Sequence, residues 1–239
     1  MPEPAVPLVV LTGIEKDYRS LRPLRVRRLE LREGETVALL GFDQASAEVL
    51  VNLIAGATLP DAGEVRAFGR LTSDITDAES WLKALDQFGI ISERAVLLEE
   101  MTTAQNLAVP LSLELHDLPA AVRNQVTQLA AEVGLEPECL ERPATSLQPL
   151  DRMRLRLGRA LAVAPRVLMA EHPNAALSAQ DLPTFAADLA RVAAGRKLAL
   201  LLMTADRVFA ASVGDHVLEL NAATGELNPV AKGWRRWFS

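Results

Sequence analysis

The sequence predicts an α/β fold: an open, mostly parallel sheet with helices around it, N-terminal antiparallel strands and a helical insert. Three observations predict it. Short, nearly continuous apolar runs recur at Thr36–Leu40 (TVALL), Val167–Ala170 (VLMA) and Leu198–Met203 (LALLLM), the pattern of strands buried on both faces. Segments of helical spacing lie between them, so strand and helix alternate as a parallel sheet requires. The apolar mass is Leu, Val and Ala, with aromatics at only 4% of residues, which suits helices on a sheet better than a β-sandwich.

Each element follows in order. Leu8–Ile14 (LVVLTGI) reads as a first strand and Val26–Leu31 (VRRLEL) as a second, alternating one. The polar loop between them carries the chain's only tyrosine, Tyr18. Arg32–Glu35 is a turn before the Thr36–Leu40 strand. A turn beginning at Gly41 then leads to a helix entered near Ser46 and running to Ala55. Leu59–Glu64 (LPDAGE) is a turn with Pro and Gly in suitable places, and Val65–Arg70 (VRAFGR) a short strand. A helix is expected over Ala78–Leu85 and a strand over Phe88–Ile91.

From Thr102 to about Arg159 the composition turns to Ala, Leu, Glu and Gln. Val122, Val126, Leu129, Ala130 and Val133 line one face of a helix over Ala120–Leu135, with Gly134 as its C-terminal signal. A helix over Leu150–Ala162 leads through Pro165 to the Val167–Ala170 strand. A helix over Leu182–Ala193, the Leu198–Met203 strand, a helix over Asp206–Val213 and a hairpin of Val217–Leu220 with Gly225–Leu227 complete the chain. There is no internal repeat.

The bulk properties exclude several classes. At 239 residues the chain supports a substantial core, as one domain or two closely fused ones. A hydrophobic content of 49% and a mean hydropathy of +0.13 argue against disorder. A net charge of −6 and a pI near 5.2 argue against nucleic acid as the main partner. The N-terminal stretch lacks a basic leader and a cleavage pattern, so no signal peptide is expected, and the longest apolar run is too short to span a bilayer. A single cysteine, Cys139, excludes an intrachain disulfide and fits a reducing cytoplasm. No neighbouring His or basic cluster activates it, so it reads as structural. His116 and His216 stand outside any constellation, and no metal site is expected.

Ligands in open α/β sheets gather at the carboxyl ends of the strands, here near Gly41, Glu171 and Thr204. Val37–Ala57 has the strand–turn–helix layout of a phosphate loop, G-x-x-x-x-G-K-S/T, in which backbone N–H groups close on phosphate at a helix N-terminus. The eight residues here are GFDQASAE: Gly41 is present, but Ser46 replaces the second glycine, Ala47 the lysine and Glu48 the Mg²⁺-binding hydroxyl. Asp43 and Glu48 bring carboxylates to where phosphate oxygens would lie. Like charges about 4 Å apart repel by roughly 1 kcal/mol in water and about 4 kcal/mol at an effective dielectric of about 20. The same acids gain about 0.3–1 kcal/mol each near a helix N-terminus. The loop is therefore expected to have phosphate-loop geometry or a close distortion of it, empty or filled by its own carboxylates, with Glu48, alone or with Asp43, stabilising the anion site.

The order of segments resembles the ATPase (nucleotide-binding) domain of ABC transporters, from about Leu8 to Leu227. VALLG…LVNLIAGATLPDAGEVRAFG is similar to that family's strand, phosphate loop, helix and the turn after it. MTTAQNLAVPL (Met101–Leu111) resembles the opening of its helical subdomain, and GRALAVAPRVLMAEHPNAALS (Gly158–Ser178) the end of the signature helix, the Walker B strand and the D-loop. LLLMTADRVFAASVGDHVLELNAATGEL resembles the switch strand and the segment C-terminal to it. The resemblance implies an ABC-type P-loop NTPase fold in one domain, with residues 1–91 and 159–228 as core, 92–158 as helical subdomain and 229–239 as a tail.

It also implies roles for individual positions. Tyr18 stands where an adenine-stacking aromatic would, Glu93 at the Q-loop glutamine and Glu171 at the Walker B aspartate, one methylene longer. Glu93 is either a Mg²⁺ ligand or a solvated loop acid. His172 replaces the catalytic glutamate and Ala205 the switch histidine. The signature LSGGQ aligns with LQPLD, that is Leu147, Gln148, Pro149, Leu150 and Asp151; Pro149 has no N–H to offer a phosphate and Leu150 blocks close approach. Nucleotide contacts, if any, fall to Tyr18, Gly41, Asp43, Ser46, Glu48 and Glu93.

The implied function is a pseudo-ATPase: a non-hydrolysing binding or regulatory subunit of a membrane transporter, with no cofactor expected and only weak ATP or Mg²⁺ binding. The implied partners are transmembrane transporter subunits and a second ABC-type domain, as homodimer or heterodimer, at the inner face of the membrane. The alternative is a divergent but active ATPase energising ABC transport. The tail GWRRWFS (Gly233–Ser239) mixes aromatic and basic residues, which suits a membrane interface or partner groove as well as docking on its own domain.

Overall fold

The computed structural model describes residues 6–230. The elements run β1 (Val9–Lys16), β2 (Leu24–Leu31), β3 (Thr36–Leu40), α1 (Gln44–Ile54), β4 (Ala62–Ala67), β5 (Arg70–Leu71), α2 (Ala78–Leu85) and β6 (Phe88–Ile91). After these come α3 (Thr103–Ala108), α4 (Ala120–Val133), α5 (Pro149–Ala162), β7 (Val167–Glu171), α6 (Leu182–Arg196), β8 (Ala199–Met203), α7 (Arg207–Val213), β9 (His216–Asn221) and β10 (Glu226–Pro229).

Two sheets form. One has four strands in the order β2-β1-β4-β5, all antiparallel. The other has six in the order β10-β9-β3-β8-β7-β6, parallel except for the β9–β10 hairpin. This is the expected α/β architecture, a mostly parallel sheet with an N-terminal antiparallel sheet and a helical part.

The period-2 alternation of side chains across a strand explains why the central runs are apolar throughout. Ala38 and Leu40 of β3, Leu168 and Ala170 of β7, and Leu200 and Leu202 of β8 join one apolar cluster with helices α3 to α7. Their neighbours Val37 and Leu39, Val167 and Met169, and Leu201 and Met203 join a second cluster, formed with α1 and the antiparallel sheet. Every residue of these three strands is buried. Their carboxyl ends emerge side by side, where the Gly41 loop, Glu171 and Thr204 lie.

The antiparallel sheet turns on two glycines. Its β1–β4 register shifts between Thr12 and Glu15, and Gly63 there approaches so closely that a Cβ would lie 2.3 Å from the Gly13 carbonyl oxygen. The expected single strand over Val65–Arg70 is instead a tight hairpin. Phe68 and Gly69 both adopt positive φ, 51° and 81°, the twist that folds β5 back onto β4.

In the helical part, Thr102 and Gln105 form a capping box that starts α3, and Gly134 ends α4 in the left-handed conformation. The fully buried Asn106 exchanges hydrogen bonds with the backbone of Leu98, at 2.8 and 2.9 Å. This ties the segment after β6 to α3. Among the described residues no helix is long and apolar enough to cross a membrane. The GWRRWFS tail lies outside the described residues.

Candidate functional site at the carboxyl end of the sheet

The chain leaves β3 at Gly41, whose φ is 86°. A Cβ there would sit 3.1 Å from the Leu220 carbonyl oxygen, so both backbone and space favour glycine. Phe42 turns inward, 3% exposed, into the cluster beneath α1. Asp43 then caps the helix. Its Oδ1 accepts from the Ser46 N–H at 2.7 Å and from the Ser46 Oγ at 2.6 Å, while its own N–H donates to the Ser46 Oγ at 2.9 Å. This reciprocal capping box satisfies helix-end donors without any ligand. It also starts α1 at Gln44, two residues before the entry expected near Ser46.

Bonds from the Ser46 hydroxyl and backbone hold the Asp43 carboxyl below the usual carboxylate range, with a smaller contribution from His172. Ala47 is fully buried in the apolar cluster, so this position faces the core. Glu48 does not fill the loop, contrary to expectation. One turn further along α1, its carboxylate is drawn outward to the Arg94 guanidinium, at 3.0 Å.

The same guanidinium reaches the end of β7. Glu171 is 1% exposed, and its Oε1 accepts from the Arg94 Nη2 at 2.5 Å. Its Oε2 accepts from the Ser92 Oγ at 2.9 Å. His172, next in sequence, is held at a φ of 44°, with its N–H on the Met203 carbonyl at 2.9 Å. Its Nε2 is buried without a hydrogen-bond partner among the described residues. At the end of β8, the buried Thr204 donates its hydroxyl to Asn174 Oδ1 at 2.8 Å and accepts from the Asp206 N–H at 3.0 Å. Asp206 in turn caps α7 through the N–H groups of Val208 and Phe209. Ala205, between them, is exposed.

Glu48, Arg94, Glu171 and Ser92 are thus joined in one polar network, while Asp43 and Ser46 form a separate pair at the mouth of α1. The other expected positions stand elsewhere. Tyr18, in the loop after β1, is half-buried against the cluster beneath α1. Glu93 is exposed and helps offset the desolvation that lowers the Arg156 pKa. Leu147 is buried, Gln148 is the N-cap of α5, Pro149 is its first residue, Leu150 packs on the helical cluster, and Asp151 pairs with Arg154 at 3.3 Å. Sequence reasoning missed Ser92, Arg94 and Asn174. The signal that could have found the first two was position: Ser92 and Arg94 come directly after β6, another strand ending on the same edge. Among the described residues no group of three or more His, Cys, Asp or Glu is placed to hold a metal ion.

Comparison with known proteins agrees with this architecture. A family model described as ABC transporter matches residues 24–175. A lipoprotein-releasing system ATP-binding protein LolD from Psychrobacter arcticus is 28% identical over 92% of this chain and 91% of its own length. The LolD protein of Xanthomonas campestris is 30% identical over 85% of this chain and 83% of its own. A sulfate/thiosulfate import ATP-binding protein CysA from Caulobacter vibrioides is 32% identical over 89% of this chain, which spans 62% of that relative. Among solved structures, the dimeric bacterial ABC transporter cassette MJ0796 superposes with a TM-score of 0.74 at 20% identity, over 89% of this chain and 94% of that one. The cbiO1 structure from Clostridium perfringens superposes at 0.77 with 16% identity, over 94% and 87%. The chain belongs to the ATP-binding family of ABC transporters.

Proposed function

We propose that this chain is a transporter's ATP-binding-cassette subunit that binds and regulates without hydrolysing ATP. The observation that carries the reading is local. Asp43 holds the Ser46 N–H at the mouth of α1, the position at which a phosphate loop offers its donors. Mg²⁺·ATP does not fit these residues. A phosphate must displace Asp43, Ala47 supplies no cation, and Glu48 and Glu171 are already paired with Arg94. Pro149, at the first position of α5, brings no N–H to a nucleotide bound across a dimer.

The partners implied by this reading are membrane-spanning transporter subunits and a second ABC-type domain, identical or not, with the chain peripheral at the cytoplasmic face. In this reading residues 1–91 and 159–228 form the core, 92–158 the helical subdomain and 229–239 a tail. Any nucleotide is met by Tyr18, Gly41, Asp43, Ser46, Glu48 and Glu93.

A second reading is a working ATPase of divergent chemistry that energises transport. The relatives' names support it better than the first, since each describes an ATP-binding protein over most of this chain. It requires Asp43 to release Ser46 and Arg94 to release Glu171. Calorimetry with Mg²⁺·ATP and a phosphate-release assay, on the chain alone and with an intact ABC partner, separate the two. Absent binding heat and absent turnover support the first reading. Micromolar binding with turnover overturns it in favour of the second.

A further inference from the structure

Two carboxylates from different elements meet at the carboxyl edge of the sheet, and one guanidinium holds both. Glu171 is 1% exposed, a burial that an isolated carboxylate does not tolerate. Its two oxygens are taken up by Arg94 and by the Ser92 hydroxyl. The other nitrogen of Arg94 binds Glu48, whose side chain is 40% exposed. Two carboxylates and a hydroxyl are the oxygen donors that a hard divalent cation prefers. Here their counter-charge is part of the chain, and it arrives on the loop between β6 and α3.

We propose that the Arg94 guanidinium takes the place of a divalent cation between Glu48 and Glu171, making this edge of the sheet metal-independent and closing it to Mg²⁺. The inference deepens the non-hydrolysing reading and rests on it, but its test does not involve nucleotide. Arg94 is a positioning residue. It fixes the two carboxylates, and its side chain ties the segment that follows β6 to Glu48 of α1 and Glu171 of β7 whether or not a ligand is present. The segment's far end is tied to α3 by Asn106, so core and helical parts are joined by protein contacts alone.

The test compares the wild type with Arg94→Met, which keeps the length and removes the charge. Arg94→Lys keeps a cation and serves as the conservative rescue. Thermal unfolding is measured with no divalent ion and with millimolar Mg²⁺ or Mn²⁺ at matched ionic strength, and Mn²⁺ binding is read by electron paramagnetic resonance. The wild type is expected to show no divalent-dependent shift and no Mn²⁺ uptake. Arg94→Met should lose about 4–8 °C in Tm, scaled from a broken, partly exposed ion pair in a chain of this size. Divalent ions should recover at least half of that loss, Arg94→Lys should retain most of the wild-type Tm, and adding Glu171→Gln should abolish the divalent response. Mn²⁺ uptake by the wild type equal to that of Arg94→Met overturns the proposal, as does an Arg94→Met protein that folds but gains no divalent response. If Arg94→Met does not fold without divalent ions, refolding in millimolar Mg²⁺ supports the proposal, and failure to refold there overturns it. ATP turnover by the wild type would overturn the non-hydrolysing reading while leaving these metal readouts separately measurable.

Discussion

The interiors of β3, β7 and β8 and the carboxyl ends of the same strands obey different rules. In the interior, successive residues alternate between two apolar clusters, and a Leu, Val, Ala or Met serves if the volume is right. At the ends each position has a specific partner: Asp43 with Ser46, Glu171 with Ser92 and Arg94, Thr204 with Asn174. A core constrains chemistry weakly and volume strongly. A polar edge reverses this, because a buried polar group without its partner costs more than a methylene gap. A fold can therefore persist while the chemistry along its edge is rewritten.

The comparison can be broken by making an interior position behave like an edge one, or the reverse. The largest effect is expected from Phe185→Ala, since that ring is fully buried and its removal leaves a cavity; urea unfolding should show a loss of about 3–5 kcal/mol. Next comes Ala47→Lys, which restores a phosphate-loop lysine in sequence. Because Ala47 packs in the apolar cluster, the ammonium is desolvated and crowded, and a loss of about 2–3 kcal/mol is expected rather than a gain in nucleotide affinity. Tight ATP binding by that variant would show that position 47 belongs to the edge. Thr204→Val conserves shape but strands the Asn174 and Asp206 groups, and should cost about 1–2 kcal/mol by the same measurement.

The smallest effects concern the cap. Asp43→Ala should cost about 1 kcal/mol, whereas Asp43→Asn, still a good cap, should cost only a few tenths. The cap also sets a pH dependence. The Asp43 carboxyl is lowered in the folded state, first by its bond from the Ser46 hydroxyl. Its contribution is therefore fully present above the ordinary carboxyl value of 3.8 and is lost as pH falls below it toward the folded-state value. Wild type should lose more stability than Asp43→Asn on acidification through that range, and equal acid profiles would remove the carboxylate from the account.

Local pattern made most of the fold legible. The strands of the parallel sheet and helices α2, α4, α5, α6 and α7 lie within a few residues of their expected spans, because burial on one or two faces imposes a period that runs along the chain. The Val65–Arg70 reading failed at Phe68, where a bulky residue adopts a positive φ that only the paired strands on either side enforce. Helix α1 begins at Gln44, two residues before the entry expected near Ser46, because Ser46 completes a capping box with Asp43. The positions Asp43, Ser46, Glu48 and Glu171 were legible as ends of strands and starts of helices. The bridging of Glu48 to Glu171 was not: Arg94 meets Glu48 from 46 residues away and Glu171 from 77, and no periodicity records such a meeting.

The sequence by itself determined that this is an α/β chain with a doubly buried parallel sheet, a helical insert and a loop at Gly41 lacking the lysine and hydroxyl of a phosphate loop. Those properties arise from residue type and short-range spacing. Only the tertiary structure decided which carboxylate closes the loop, that Ala47 faces the core, and that one guanidinium serves both Glu48 and Glu171. Such partnerships depend on the sheet bringing separate strand ends to one edge, and charges find one another there by distance in space.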